Sequence, residues 1–302
     1  MENNLSDKNE NKDRKGRGVS HSKIILIGEH SVVYGYPAIA IPLKNIRMEC
    51  IVERATVPFI HNKKDTLSTA IYTALNYLNR KNENIKYKVI SDIPPKRGMG
   101  SSAAVSIAAI RGVLDYFNTE VDNLTLEKLV NEAEIIAHNT PSGLDAKTCL
   151  SDSAIKFIKN KGFKNLEMNL GAYLLIADTG IHGHTRDAIM NIKNMGDRAL
   201  PMLEKLGKLT EETEKFIEEK DVINIGKNMI SAHGELKKLG VSIEKSDVLV
   251  KTAIDEGAYG AKMSGGGLGG CIIALMESKE KAEMTGKKLM EKGAVNIWIE
   301  AL

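Results

Sequence analysis

From Asp92 to Ala104 the chain reads Asp-Ile-Pro-Pro-Lys-Arg-Gly-Met-Gly-Ser-Ser-Ala-Ala. A strand-like run ends at Pro94 and Pro95, and a Gly-Ser turn then leads into an apolar helical pattern. Gly98 and Gly100 let a backbone come close to a ligand with no Cβ between them. Ser101 and Ser102 fall where the helix begins, so amide N–H groups and the positive dipole end face whatever binds there. A phosphate is the natural occupant, and a turn that only caps a helix is the plain alternative. Gly98-Met99-Gly100-Ser101-Ser102-Ala103 formally fits the dinucleotide fingerprint. That reading fails because Pro94 and Pro95 separate the strand from the glycines, and the acids that follow sit in or just after a helix. No Gly-Lys-Ser/Thr occurs, which excludes a Walker loop.

The elements around this turn alternate without a repeat. Strands are expected over 23–27, 46–53 and 87–93, with an amphipathic helix over 67–78. Behind the Gly-Ser turn, Val105, Ala108, Ala109, Val113, Leu114 and Phe117 fall at helical spacing. A second helix is expected over 126–138, with Thr125 as its N-cap and Thr140-Pro141-Ser142-Gly143 as its stop. A buried strand over 173–177 precedes an almost wholly helical stretch, 184–256. The order strand, helix, strand then follows over 271–276, 279–291 and 295–300. The pattern predicts an α+β protein with a disordered tail at 1–18, an N-terminal domain over 19–165 and a C-terminal domain over 166–302.

Bulk properties remove several classes of function. With 42% apolar and 27% charged residues, the composition is that of a globular chain. A net charge of +3, with no basic stripe carrying aromatics, argues against nucleic acid or an acidic membrane as partner. Cys50, Cys149 and Cys271 are scattered and odd in number, which fits a reducing, cytoplasmic setting. No apolar run is long enough for a bilayer, and the first residues lack the core of a signal peptide.

Four further groups of residues could carry chemistry. Glu134, on a helix, and Asp145, beyond the following turn, are hard oxygen ligands that with a nearby serine suit Mg²⁺; one acid could instead orient or deprotonate an alcohol. Two solvated acids are the plain reading of the same pair. Lys23, heading a buried strand before Glu29-His30, could neutralise developing charge, or simply lie along the surface. His30 could meet a substrate carboxylate. Lys262 to Gly270 packs five glycines ahead of an apolar strand, a pattern that calls for close backbone packing against a ligand, or for a tight sheet turn. Lastly, Asp178-Thr179-Gly180 with His182, His184, Thr185 and Arg186 could wall a substrate, while the histidine spacing does not suit a metal.

Taken in order, Lys23 with Gly28-Glu29-His30-Ser31-Val32-Val33-Tyr34-Gly35, then Pro94 to Ala104, then Lys262 to Gly270, resemble the three motifs of the GHMP small-molecule kinases. The likeness runs from about Val19 to the end of the chain. It implies a two-domain α+β fold, with an N-terminal half like domain 2 of ribosomal protein S5, a ferredoxin-like C-terminal half, and a ligand cleft between them. It also implies Mg²⁺ and ATP, transfer of a phosphoryl group to an alcohol, and a homodimer. Pro94, Lys96, Arg97, Gly98, Met99, Gly100, Ser101, Ser102, Ala103 and Ala104 would then wrap the nucleotide phosphates. Ser102 and Glu134 would hold the metal, and Asp145 and Lys23 would serve the attacking hydroxyl. Glu29, His30, Thr185 and Gly265 would face the substrate. Met99 stands where leucine is commoner in the family, a swap that conserves volume.

Overall fold

The computed structural model describes residues 14–138 and 143–302. Most of the expected tail, 1–13, and the Thr140-Pro141-Ser142 turn lie outside the described residues. By packing, the chain divides into two compact units, each assembled from separated segments.

The first unit takes 100–150, 44–93 and the described part of the first 22 residues. It holds the start of strand β1 (Lys15–Ile27), most of β2 (Pro37–Arg54), and β3 (Ile85–Ser91). β2 pairs with β3 antiparallel, Met48 opposite Ser91 and Arg54 opposite Ile85. The helices are α1 (Thr66–Tyr77), α2 (Ser101–Tyr116), α3 (Asn123–His138) and the short α4 (Leu144–Leu150). α2 and α3 both pack on α1 and on each other, and α4 lies against α2 and α3. Ile71, Ala74, Leu75, Ile107, Ile110 and Val113 are among the residues buried there.

Several boundaries differ from the sequence expectation, β2 beginning at Pro37 and not at 46 among them, and three have a local physical reason. β1 begins at Lys15, ahead of Val19, because backbone contacts hold a stretch that apolar residues do not. The Arg17 N–H donates to Asp115 Oδ2 at 2.7 Å. A Cβ on Gly16 or Gly18 would fall 2.2 or 2.0 Å from a carbonyl oxygen of α2. α3 starts at Asn123, since Asp122 rather than Thr125 acts as the cap, accepting the Thr125 N–H at 2.7 Å. α4 forms where only a turn is expected.

The second unit takes 23–43, 94–99 and 151–302. The start of β2 pairs antiparallel with β4 (Ala154–Ile158), which pairs with β5 (Gly162–Leu166). A separate antiparallel sheet has the order β7-β8-β6-β9, from β6 (Tyr173–Asp178), β7 (Gly260–Ser264), β8 (Cys271–Met276) and β9 (Asn296–Ala301). Its helices are α5 (Thr185–Met195), α6 (Leu200–Glu218), α7 (Val222–Lys238), α8 (Glu244–Asp255) and α9 (Lys279–Glu291). All six residues of β8 are buried, which explains its unbroken apolar run. Leu175, Ala177, Leu249, Ala253, Ile272, Ala274 and Leu289 belong to one core cluster. α7 approaches β7 backbone to backbone: a Cβ on Gly226 would meet the Tyr259 carbonyl at 2.2 Å, and one on Gly260 the Gly226 carbonyl at 1.9 Å. The class is α+β, as the pattern predicts. No helix among the described residues is long and apolar enough to cross a membrane.

Candidate active site

In the first unit the functional candidates gather at the start of α2. Gly100 is the N-cap, in the left-handed region at φ 72°, and no side chain caps the helix from that position. The first i→i−4 bond runs from the Ala104 N–H to the Gly100 carbonyl at 2.9 Å. The dipole end therefore carries glycine and serine rather than a carboxylate, as an anion site requires. The Ser102 hydroxyl donates to Glu134 Oε1 at 3.0 Å, joining α2 to α3. Glu134 is buried. Ala103 and Ala104 are fully buried, and Ser101 is half-buried at the helix start. Asp145 sits in the first turn of α4, so a helix and not a turn positions it.

A hydroxyl and a carboxylate at hydrogen-bond distance are a hard-oxygen pair, which fits Mg²⁺ and not a thiolate or imidazole metal. Among the described residues no cluster of three or more His, Cys, Asp or Glu side chains could cage an ion. Mg²⁺ bound mainly through phosphate oxygens and water needs no such cage.

In the second unit the loop 94–99 meets the glycine turn between β7 and β8. A Cβ on Gly98 would lie 3.1 Å from the Ser264 carbonyl, and one on Gly265 would lie 2.8 Å from Gly98 Cα. Both glycines have positive φ, so conformation and space each demand the missing side chain. Gly266 is shielded by Thr185, whose hydroxyl oxygen lies 1.8 Å from where its Cβ would stand. Lys23 is buried; its ammonium donates to the Gly98 carbonyl at 3.3 Å and its N–H to the Met99 carbonyl at 3.2 Å. The Met99 side chain is sealed in the core, which leaves only its backbone for any ligand. Pro94 is half-buried. Lys96 is exposed, and its carbonyl accepts from the Gly183 N–H at 2.9 Å.

Arg97 has partners within the protein. Its Nε lies 2.7 Å from Asp178 Oδ1, and Nη2 donates to the Gly180 carbonyl at 3.1 Å. Nη1 is buried without a hydrogen-bond partner among the described residues.

Glu29 opens a tight γ-turn centred on His30 (φ 63°, ψ −47°), in which the Ser31 N–H donates to the Glu29 carbonyl at 2.8 Å. Both are buried. Glu29 Oε1 is paired with the ammonium of Lys262. Glu29 Oε2 and His30 Nε2 are each buried with no partner among the described residues. Burial, and then the Lys262 charge, push the imidazole down to about 4, so His30 is neutral at pH 7. It can bind a substrate carboxylate only through an N–H bond. Lys262 is the residue that sequence reasoning left without a role of its own. The available signal was a lone charge in the otherwise apolar Ala261-Lys262-Met263.

Two family models match the chain: GHMP kinases N terminal domain over residues 68–152, and GHMP kinases C terminal over residues 213–293. The mevalonate kinase of Pyrococcus furiosus is 32% identical, across 89% of this chain and 91% of its own length. That of Methanocaldococcus jannaschii is 28% identical, across 87% and 92%. Among solved structures, a mevalonate kinase of methicillin-resistant Staphylococcus aureus superposes with a TM-score of 0.78 at 29% identity, covering 96% of this chain and 99% of its own. The L. major mevalonate kinase in complex with R-mevalonate shares the fold, with a TM-score of 0.85 at 24% identity and coverage of 95% and 96%.

Proposed function

The chain belongs to the GHMP kinases, and on that footing we propose that it phosphorylates the 5-hydroxyl of (R)-mevalonate with ATP, giving 5-phosphomevalonate and ADP. The observation that carries phosphoryl transfer is the Ser102–Glu134 pair beside the Gly100-capped start of α2. For the acceptor, support comes from the relatives and from Glu29 to Gly35, whose Glu-His-Ser-Val-Val-Tyr-Gly resembles mevalonate kinases. Galactokinases tend to carry Glu-His-Thr-Asp-Tyr there, and phosphomevalonate kinases a Glu-Tyr pair.

In this reading the α2 amides receive the phosphate oxygens and absorb the charge that develops on them. Ser102 and Glu134 would hold Mg²⁺, which when bound neutralises phosphate charge. Asp145 accepts a hydrogen bond from the attacking hydroxyl and holds it in line, and Lys23 lowers the cost of its developing negative charge. Glu29, His30 and Thr185 bind the acceptor. On the same reading the enzyme is a cytoplasmic homodimer, its nucleotide loop in a domain over 19–165 and its glycine turn in a domain over 166–302.

The test is ADP release with (R)-mevalonate as the only acceptor, with and without Mg²⁺. Turnover that needs both is the expected result. ADP formation with phosphomevalonate, galactose or homoserine, and none with mevalonate, would replace the acceptor. A nucleotide sensor without turnover is disfavoured, since such a chain has no need to carry all of Asp145, Lys23 and Glu134.

A further inference from the structure

Lys262 plays no part in the mechanism above, yet its side chain is 0% exposed. An ammonium in such a place is costly unless it is paired and hydrogen-bonded. It is held from two sides, by Glu29 Oε1 and by the Met263 carbonyl at 2.6 Å. A buried pair of this kind is weak as a source of stability, because apolar residues of equal volume often do as well. Its use lies in what it leaves over. With Oε1 taken, Glu29 keeps Oε2 buried and without a partner among the described residues, and Nε2 of the following residue, His30, is equally unpartnered. Two orphaned polar atoms on consecutive residues are expensive unless a polar ligand meets them.

We propose that Lys262 is a positioning residue for the phosphoryl acceptor: it holds Oε1 of Glu29 so that Oε2 stands as acceptor for a hydroxyl of the bound substrate. The inference rests on the acceptor being mevalonate. Charge supports the geometry. Burial pushes the Glu29 carboxyl up from its ordinary range, and Lys262 is the chief influence opposing that shift, with Lys23 a smaller one. Without Lys262, Glu29 is free to turn and inclined to take up a proton, and its Oε2 ceases to be a fixed anionic acceptor.

The test is a double-mutant cycle of K262M and E29Q, read as separate KM values for mevalonate and ATP together with kcat. Each single variant is expected to raise the KM for mevalonate about tenfold to a hundredfold, the worth of one charge-assisted hydrogen bond. The KM for ATP should stay within about twofold in the same variants. In the E29Q background K262M should add nothing further, because Lys262 acts through Glu29. Additive effects, or an equal rise in both KM values, would overturn the proposal. Should either single variant fail to fold, E29Q/K262M, which leaves no lone buried charge, is read against wild type: a rise in the KM for mevalonate with the KM for ATP within about twofold is expected, and an equal rise in both KM values overturns the proposal. A wild type inert with mevalonate would overturn the acceptor and this inference together, whereas an active wild type with an additive cycle overturns only the inference.

Discussion

His233 on α7 provides a quantitative test of the buried electrostatics. Its ring is fixed on both sides: the Met263 N–H donates to Nδ1 at 3.4 Å, and Nε2 lies 3.1 Å from Asp247 Oδ1. An Nδ1 that accepts carries no proton, so the neutral tautomer with Nε2–H donating to Asp247 is the one this network selects. Burial pushes the ring from its ordinary 6.5 to about 4, with Lys262 and Lys237 acting in the same sense and Asp247 opposing. Protonation then favours the unfolded chain. Stability is complete above about pH 6.5, is lost as pH falls, and the loss saturates below about 4. At pH 5 nearly every unfolded imidazole is charged but only about one folded ring in ten, which costs about 2 kcal/mol; the limiting cost is about 3 kcal/mol. His30 has a similar shift, so the contribution of His233 must be isolated by difference. Urea unfolding of wild type and H233Q at pH 7.5 and pH 5 does this. The wild type should lose about 2 kcal/mol more than the variant across that interval. Equal losses would mean that His233 titrates normally, and would refute the argument from burial and tautomer.

Further outcomes can be read from single sites. D145N should lower kcat by about 10²- to 10⁴-fold while calorimetric nucleotide affinity is unchanged, and near-normal turnover would remove Asp145 from the mechanism. E134Q should raise the Mg²⁺ concentration for half-maximal rate about tenfold, with no shift in thermal midpoint large enough to account for it. G226A sets a methyl group 2.2 Å from the Tyr259 carbonyl and should cost about 1–3 kcal/mol of unfolding free energy; an unchanged urea midpoint would contradict that packing. R97M leaves the Asp178 carboxylate, 3% exposed, without its guanidinium and should cost about 3–5 kcal/mol, with R97M/D178N recovering much of the loss.

What the sequence discloses is mostly local. Cys271–Met276 and Lys279–Glu291 are found with their boundaries intact, the helix being capped by Ser278, whose hydroxyl accepts the Lys281 N–H at 3.2 Å. The Gly-Ser turn is legible because a helix start needs its neighbours only. β4 and β5 are not. β4 is short and broken by Lys156, β5 carries Lys164 and Asn165 with few apolar residues, and both exist through pairing with each other and of β4 with Pro37–Ala40 far earlier in the chain. The start of β1 is hidden for the same reason, since its glycines are defined by the α2 backbone they touch. At the site, the residue types are legible and the partnerships are not. Ser102 with Glu134 can be anticipated from a motif, whereas Glu29 with Lys262 and Arg97 with Asp178 join residues 233 and 81 positions apart. No periodicity or cap encodes such pairs.

The contact of Gly98 with Gly265 has a consequence for how a chain of this kind can diversify. Where two loops touch through bare backbone, neither can accept a larger residue unless the other retreats, so they are bound to drift together or not at all. Variation around this contact is therefore open mainly to positions that present side chains, such as Thr185 against Gly266. The two loops are thus inherited as a matched pair.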